Sequence, residues 1–184
     1  MTVLAAALSA LALSVTPVSQ TAPARPVAAP AAPQPTALGV SPAAVIAWLA
    51  AQGATAGAIQ EDQGRQYIRV DADGLAWLLF FQSCDNGLCS DVQFTTGVSN
   101  AVITPDMING WNRERRFLKA IYEAPQGTGL PSAVVQYDVL LNAGGPEQLA
   151  DHLSIWRSLL PQFARLTTGT PAAPASAPAA APAQ

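Results

Sequence analysis

The chain is poor in the residues that run reactions and anchor proteins to charged surfaces. It has one histidine, His152, and two cysteines, Cys84 and Cys89, in 184 residues, and charged residues make up only 11% of it. A single imidazole limits acid–base schemes and leaves any zinc site short of ligands. There is no G-x-S-x-G elbow, no P-loop, no G-x-G-x-x-G fingerprint and no H-E-x-x-H pair. No apolar run approaches the roughly 20 residues a membrane-spanning helix needs. Residues 1–37 hold no acidic residue and one basic one, Arg25. The central stretch of about 130 residues carries eight basic and twelve acidic residues, a net of −4. A mildly acidic domain excludes nucleic acid as the default partner and offers no polybasic anchor for anionic lipid. Nothing in the sequence asks for a catalytic residue, a cofactor or a metal.

What is present divides the chain into unequal parts. Residues 3–15 are almost wholly Ala, Leu and Val, with Leu4, Leu8, Leu11 and Leu13 among them. That length and composition suit the apolar core of a signal peptide, and Ala22-Pro23-Ala24 has the form of a cleavage site. Residues 1–24 are therefore read as a signal peptide, and the mature protein as periplasmic or secreted. The alternative is an Ala-rich disordered tail, since the run is preceded only by Met1-Thr2, with no Lys or Arg. Residues 25–38 and 167–184 are rich in Ala and Pro, which favours extended, solvated spacers with little to bury. Residues 39–166 remain as one domain, long enough for a real core.

Within that domain Ser41-Pro42 marks a helix start, Val45, Trp48 and Leu49 its apolar stripe, and Gly53 its end. Gln66–Asp71 alternates as a strand, Leu75–Ser83 is a nearly continuous apolar strand, and Cys89–Thr96 is a third. Asp73-Gly74 and Asn86-Gly87 link them as two-residue type I′ hairpin loops. The two registers can be tested against each other. The first sets Val70 opposite Trp77 and Ile68 opposite Leu79; the second sets Phe81 opposite Val92 and Leu79 opposite Phe94. Both gather Ile68, Val70, Trp77, Leu79, Phe81, Val92 and Phe94 on one face, and a slip of one residue would scatter them. Thr104-Pro105 starts a second helix through about Asn112. Strands follow near Arg116–Glu123 and Ala133–Leu141. Gly144-Gly145-Pro146 opens a last helix whose stripe is Leu149, Leu153, Trp156, Leu160 and Phe163, with Pro161 expected to kink or shorten its end. The expected fold is α+β: a five-stranded antiparallel sheet packed against helices, in the order αβββαββα.

The same register places Cys84 opposite Cys89, a non-hydrogen-bonded pair with Cα atoms about 4.5 Å apart. The spacing suits a disulfide that staples the hairpin on the outward face, consistent with export. A metal pair or a redox dithiol would want further ligands or a C-x-x-C helix start. Asp71, Asp73, Asp85 and Asp91 are of the type that binds calcium, but the two sets flank opposite ends of one strand and cannot share an ion, and hairpin turn chemistry accounts for each set. His152, at the flank of the last helix's stripe, is read as a solvated helix-side residue.

Trp111-Asn112-Arg113-Glu114-Arg115-Arg116-Phe117, followed by Ala120 and Tyr122, resembles the signature of the YbjN-domain family. The resemblance extends over about residues 41–164. It implies a fold similar to that of type III secretion chaperones, which are small homodimeric α+β proteins, and a role in sensory transduction. The loop from Ala124 to Ser132 departs from the family pattern in lacking any charged residue. Two readings of Arg113, Arg115 and Arg116 stand: they brace the second helix against the following strand, or they hold an anion or a peptide carboxylate.

Leu78 and Phe80 point away from the core face. With all helices on one side they form a partly apolar outer patch, suited to a protein or peptide partner or to a second copy; a covering helix or tail is the alternative. The functional expectation is an exported, non-catalytic binding, chaperone-like or sensory accessory domain of the bacterial cell envelope. The alternative is a hydrolase-like enzyme with a cryptic Asp/Arg site.

Overall fold

The computed structural model describes residues 38–169. The expected signal peptide, nearly all of the linker and the end of the tail lie outside the described residues. Those described form α1 (Pro42–Ala51), β1 (Thr55–Ala56), β2 (Gln60–Asp62), β3 (Arg65–Ala72), β4 (Leu75–Asp85), β5 (Leu88–Ser99), α2 (Pro105–Glu114), β6 (Lys119–Glu123), β7 (Ser132–Leu140), a 3-10 turn (Pro146–Leu149) and α3 (Ala150–Thr168). Every strand pairing is antiparallel. The sheet runs β1-β3-β4-β5-β7-β6, with β2 also on β3. The fold is α+β, but the sheet has seven strands rather than the five expected. The two additions are too short to show alternation: β1 has two residues, and β2 has three, all exposed. They exist because β3 offers them an edge. Gln63-Gly64 joins β2 to β3 with φ of 50° and 77°, the same backbone as the other hairpin loops without the usual Asn or Asp.

The expected hairpin loops form, with φ of 55° and 76° at Asp73-Gly74 and 49° and 80° at Asn86-Gly87. Val70 pairs with Trp77, Ile68 with Leu79, Leu79 with Phe94, Phe81 with Val92 and Cys84 with Cys89. The helix starts also hold. Ser41 Oγ accepts from the Ala44 N–H at 3.2 Å, and Thr104 Oγ1 from the Met107 N–H at 3.2 Å. One face of the sheet supplies Ile68, Val70, Trp77, Leu79, Phe81, Val92 and Phe94 to the core; α3 supplies Leu153, Trp156, Leu160 and Phe163, and α1 and α2 supply Val45, Leu49, Ile108 and Trp111. Trp156 sits at the centre, its ring centroid 5.8 Å from Trp77 and 5.5 Å from Phe94.

Pro161 does not end α3, which continues to Thr168 and is closed by Gly169 at φ 71°. Proline costs a helix interior about 3 kcal/mol. The burial of Phe163 and Thr167 beyond it outweighs that cost, and the Thr167 hydroxyl donates to the Phe163 carbonyl at 2.9 Å. Arg157 ties the same helix back to the first hairpin, its Nε 3.0 Å from the Asp73 carboxylate.

Cys84 and Cys89 are joined as a disulfide, with Cα atoms 3.9 Å apart. The pair is less outward than the strand pattern implied, because Cys89 is fully buried. A strap of residues 38–40 crosses it where β7 has already ended. Val40 N–H donates to the Cys89 carbonyl at 3.0 Å, and Cys89 N–H to the Val40 carbonyl at 2.9 Å. Gly39, at φ 91°, leaves no room for a Cβ against the Cys89 carbonyl. Because the closed loop is short, reducing the bridge should lower the unfolding free energy by about 2 kcal/mol. Urea melts with and without reductant would measure it; coincident midpoints would show that the strap and the turn hold the hairpin unaided.

Candidate functional site

With the buried side chains of the helices and of one sheet face in a single core, the opposite face of the sheet is left open by the helices of the described residues. Its residues follow from the registers. One row runs Arg69, Leu78, Thr95, Gln136, Lys119 across β3, β4, β5, β7 and β6; the next runs Tyr67, Phe80, Gln93, Asp138. Leu78 and Phe80 are half-buried at the middle of this face. Tyr67 leans on Phe80 with ring centroids 5.2 Å apart, and the Arg65 guanidinium lies 5.0 Å from the same ring. Beside Leu78 the small residues Ala76, Thr95 and Gly97 leave a shallow depression of about 430 Å³, rimmed by Arg69 and Val134.

The acidic end of the face lies on β5 and β7. Gln93 Nε2 donates to Asp138 Oδ1 at 2.7 Å. Asp91 is pushed above the ordinary carboxylate range, first by burial and then by the Asp138 charge. Its Oδ1 is shielded from solvent and has no donor among the described residues. A buried carboxylate oxygen without a partner is costly and conspicuous.

The segment that resembles a family signature sits at the far edge of the sheet. Trp111 is buried in α2 and donates its indole N–H to the Leu118 carbonyl at 3.0 Å. Asn112 reaches the backbone of β6 twice: its amide donates to the Ala120 carbonyl at 2.8 Å, and its carbonyl oxygen accepts from the Ala120 N–H at 2.8 Å. Lys119 donates to the carbonyls of Asn112 and Arg115. A side-chain amide thus occupies edge positions that another strand would otherwise take. Among the described residues the three arginines make no carboxylate fork: Arg115 stacks over Trp111 and stands 3.8 Å from Glu114, Arg116 lies over Phe117, and Arg113 is exposed. The bracing falls to Trp111, Asn112 and Lys119.

His152 is packed rather than solvated. Its Nδ1 lies 2.7 Å from the Tyr137 hydroxyl, and Phe117 meets the Tyr137 ring edge-on at 6.1 Å. Burial raises the Tyr137 hydroxyl above its usual range. Among the described residues no three His, Cys, Asp or Glu side chains stand close enough to hold a metal. An apolar hollow of about 210 Å³ beneath the end of α3 is lined mainly by Leu75, Val98, Leu160, Phe163 and Ala164.

Residues 41–166 match the family model of YbjN, described as "Putative bacterial sensory transduction regulator". The chain belongs to the YbjN family. Among solved structures it is similar to one titled "Crystal structure of YbjN, a putative transcription regulator from E. coli", at 16% identity and a TM-score of 0.41, covering 67% of this chain and 85% of that one. No curated protein matches it.

Within the YbjN domain the residues singled out from sequence fall in three separate places. Leu78 and Phe80 are on the open face, the disulfide closes one hairpin tip, and Trp111–Phe117 clasps the β6 edge. Sequence reasoning missed that Arg65, Tyr67, Asp91 and Asp138 share the open face with Leu78 and Phe80. The alternation of β3 and β5 within the two hairpin registers could have shown the first three; Asp138, on β7, needed the strand order.

Proposed function

We propose that this chain is an exported, non-catalytic regulatory or chaperone-like accessory domain of the bacterial envelope, which holds a protein or peptide partner on the open face of its sheet. The observation that carries the reading is the placement of Leu78 and Phe80 at the centre of a face that no helix of the described residues covers. Family membership favours a regulator over an enzyme. The disulfide favours an oxidising compartment, in line with the apolar N-terminus. The hydrolase alternative is not favoured: Arg69 and Asp71 satisfy each other through two hydrogen bonds at 3.1 and 3.0 Å on an exposed strand.

A photo-cross-linking side chain at position 78 in the full chain, expressed in a bacterial envelope, is the direct test. The captured protein, purified and titrated, should bind a Phe80→Glu variant at least about tenfold more weakly than wild type. Equal affinity for the variant, or a protein recovered only from the cytosol with its first residues intact, would overturn the respective half of the proposal.

A further inference from the structure

The disulfide has one open end. Its bond crosses the hairpin from β4 to β5, and the neighbours of those two strands stop at different levels. On the β5 side the strap takes over where β7 stops. Leu141 N–H donates to the Ser90 carbonyl at 2.9 Å, and the next edge groups, the Cys89 N–H and carbonyl, are both bonded to Val40. Cys89 is 0% exposed. On the other side, pairing with β3 stops at Gln66–Phe81, while β4 runs on to Asp85. Cys84 is exposed there and lines a hollow of about 330 Å³ with Gly64, Arg65, Gln82 and Ser83. A thiolate attacks a disulfide along the line of its two sulfurs, because the orbital that accepts the electron pair is antibonding between them. Which sulfur reacts therefore depends on which end of that line is accessible. The approach to Cys89 runs into the strap; the approach to Cys84 comes from the hollow.

We propose that Cys84 is a thiol-exchange site whose reactant is a small thiol of the amino-acid type. The hollow is lined by one cation, Arg65, and one carboxylate, Glu61. Neither has a hydrogen-bond or ion-pair partner among the described residues. Arg65 lies over the Phe80 ring, and Phe80 and Cys84 stand two residues to either side of Gln82, the position level with Arg65. The guanidinium suits the carboxylate of such a thiol, and Glu61 its ammonium. A volume at the low end for ligand sites suits a reactant of that size.

In the exchange, the incoming thiol gives its proton to solvent, and its sulfur forms a bond to Cys84 Sγ. The bond between Cys84 and Cys89 breaks, and its electron pair leaves on Cys89 Sγ, which takes a proton from water. The thiol is oxidised into a mixed disulfide, and Cys89 is reduced. Cys89 stays held by Val40 beside its former partner. Its thiolate then attacks Cys84 from the β5 side and expels the small thiol. The bridge restores itself, and the adduct persists only while the thiol is in excess.

The oxidised full chain, incubated with excess cysteine, quenched in acid and digested, provides the test, with the adduct located by fragment-ion mass spectrometry. Cysteine should be found on Cys84 at least about tenfold more often than on Cys89. The Cys89→Ser variant cannot expel the thiol, so after treatment with cystine it should hold one cysteine on Cys84. Cys84→Ser should leave Cys89 unmodified over the same time. Near-ultraviolet circular dichroism matching wild type shows that a variant is folded; if neither serine variant is, the wild-type adduct ratio decides. Arg65→Ala should slow adduct formation with cysteine about threefold or more and leave that with uncharged 2-mercaptoethanol unchanged, and added salt should shrink the difference. Equal adducts on both sulfurs, an excess on Cys89, or none on either would overturn the site. An Arg65→Ala variant that slows both thiols alike, or neither, would overturn the choice of reactant.

Discussion

Replacing Trp156 by alanine is expected to cost about 3–5 kcal/mol of folding free energy. The residue is fully buried on α3, and its ring meets both Trp77 of β4 and Phe94 of β5. It joins the helix layer to the two central strands, so its removal leaves a cavity between them. Alanine is a good helix former, so the loss comes from transfer and cavity rather than from the helix itself. Against a total stability of about 5–15 kcal/mol, the change takes a large share. The indole N–H has no acceptor among the described residues. Trp156→Phe should therefore cost less than about 1.5 kcal/mol, because it removes an unpaired donor while keeping most of the ring. Urea unfolding of the three proteins checks both numbers. An alanine variant within 1 kcal/mol of wild type, or a phenylalanine variant as weak as alanine, would show that the core does not hinge on this ring.

Asn112→Ala should cost about 2–4 kcal/mol, more than a polar helix residue usually commands. The substitution strips the partner from both the N–H and the C=O of Ala120, each held at 2.8 Å. Ala120 is only 5% exposed, so water replaces the amide poorly. Asn112→Asp should not rescue the loss, since a carboxylate can accept from the Ala120 N–H but would face its carbonyl with like charge. The local signature is faster hydrogen exchange at the Ala120 amide, with exchange in β4 changed only by the global loss. Arg113→Ala, at an exposed position of the same segment, should stay within about 0.5 kcal/mol. If Arg113 mattered more than Asn112, the segment would serve a ligand rather than the edge of β6.

The contrast between these two residues shows where local reading stops. Trp156 was legible as core because it falls on a helical stripe with Leu149, Leu153, Leu160 and Phe163, and a stripe is a property of spacing alone. Asn112 was legible only as part of a family signature, because the group it satisfies lies eight residues on, in the following strand, and spacing alone does not show that the helix folds back along that strand's edge. The arginines drew attention because charge is visible in a sequence; the amide beside them closes the edge. His152 shows the same limit, since its partner Tyr137 comes from a strand on the other side of a loop. The helix is not shortened at Pro161 because a proline's cost is local, while the burial that offsets it comes from the sheet.

The sequence by itself determined the two central hairpins, their registers, the core face they share and the pairing of Cys84 with Cys89. Each follows from a two-residue loop and an alternation of period two, contacts made within a few residues. Tertiary structure alone decided the two short strands on β3, the strap that buries Cys89, the clasp on β6, and the arrival of Asp138 on β7 at the face that Arg65, Phe80 and Asp91 share. Those depend on which strands lie side by side, and strand order is set by packing a common core, a condition that no short stretch of the chain contains.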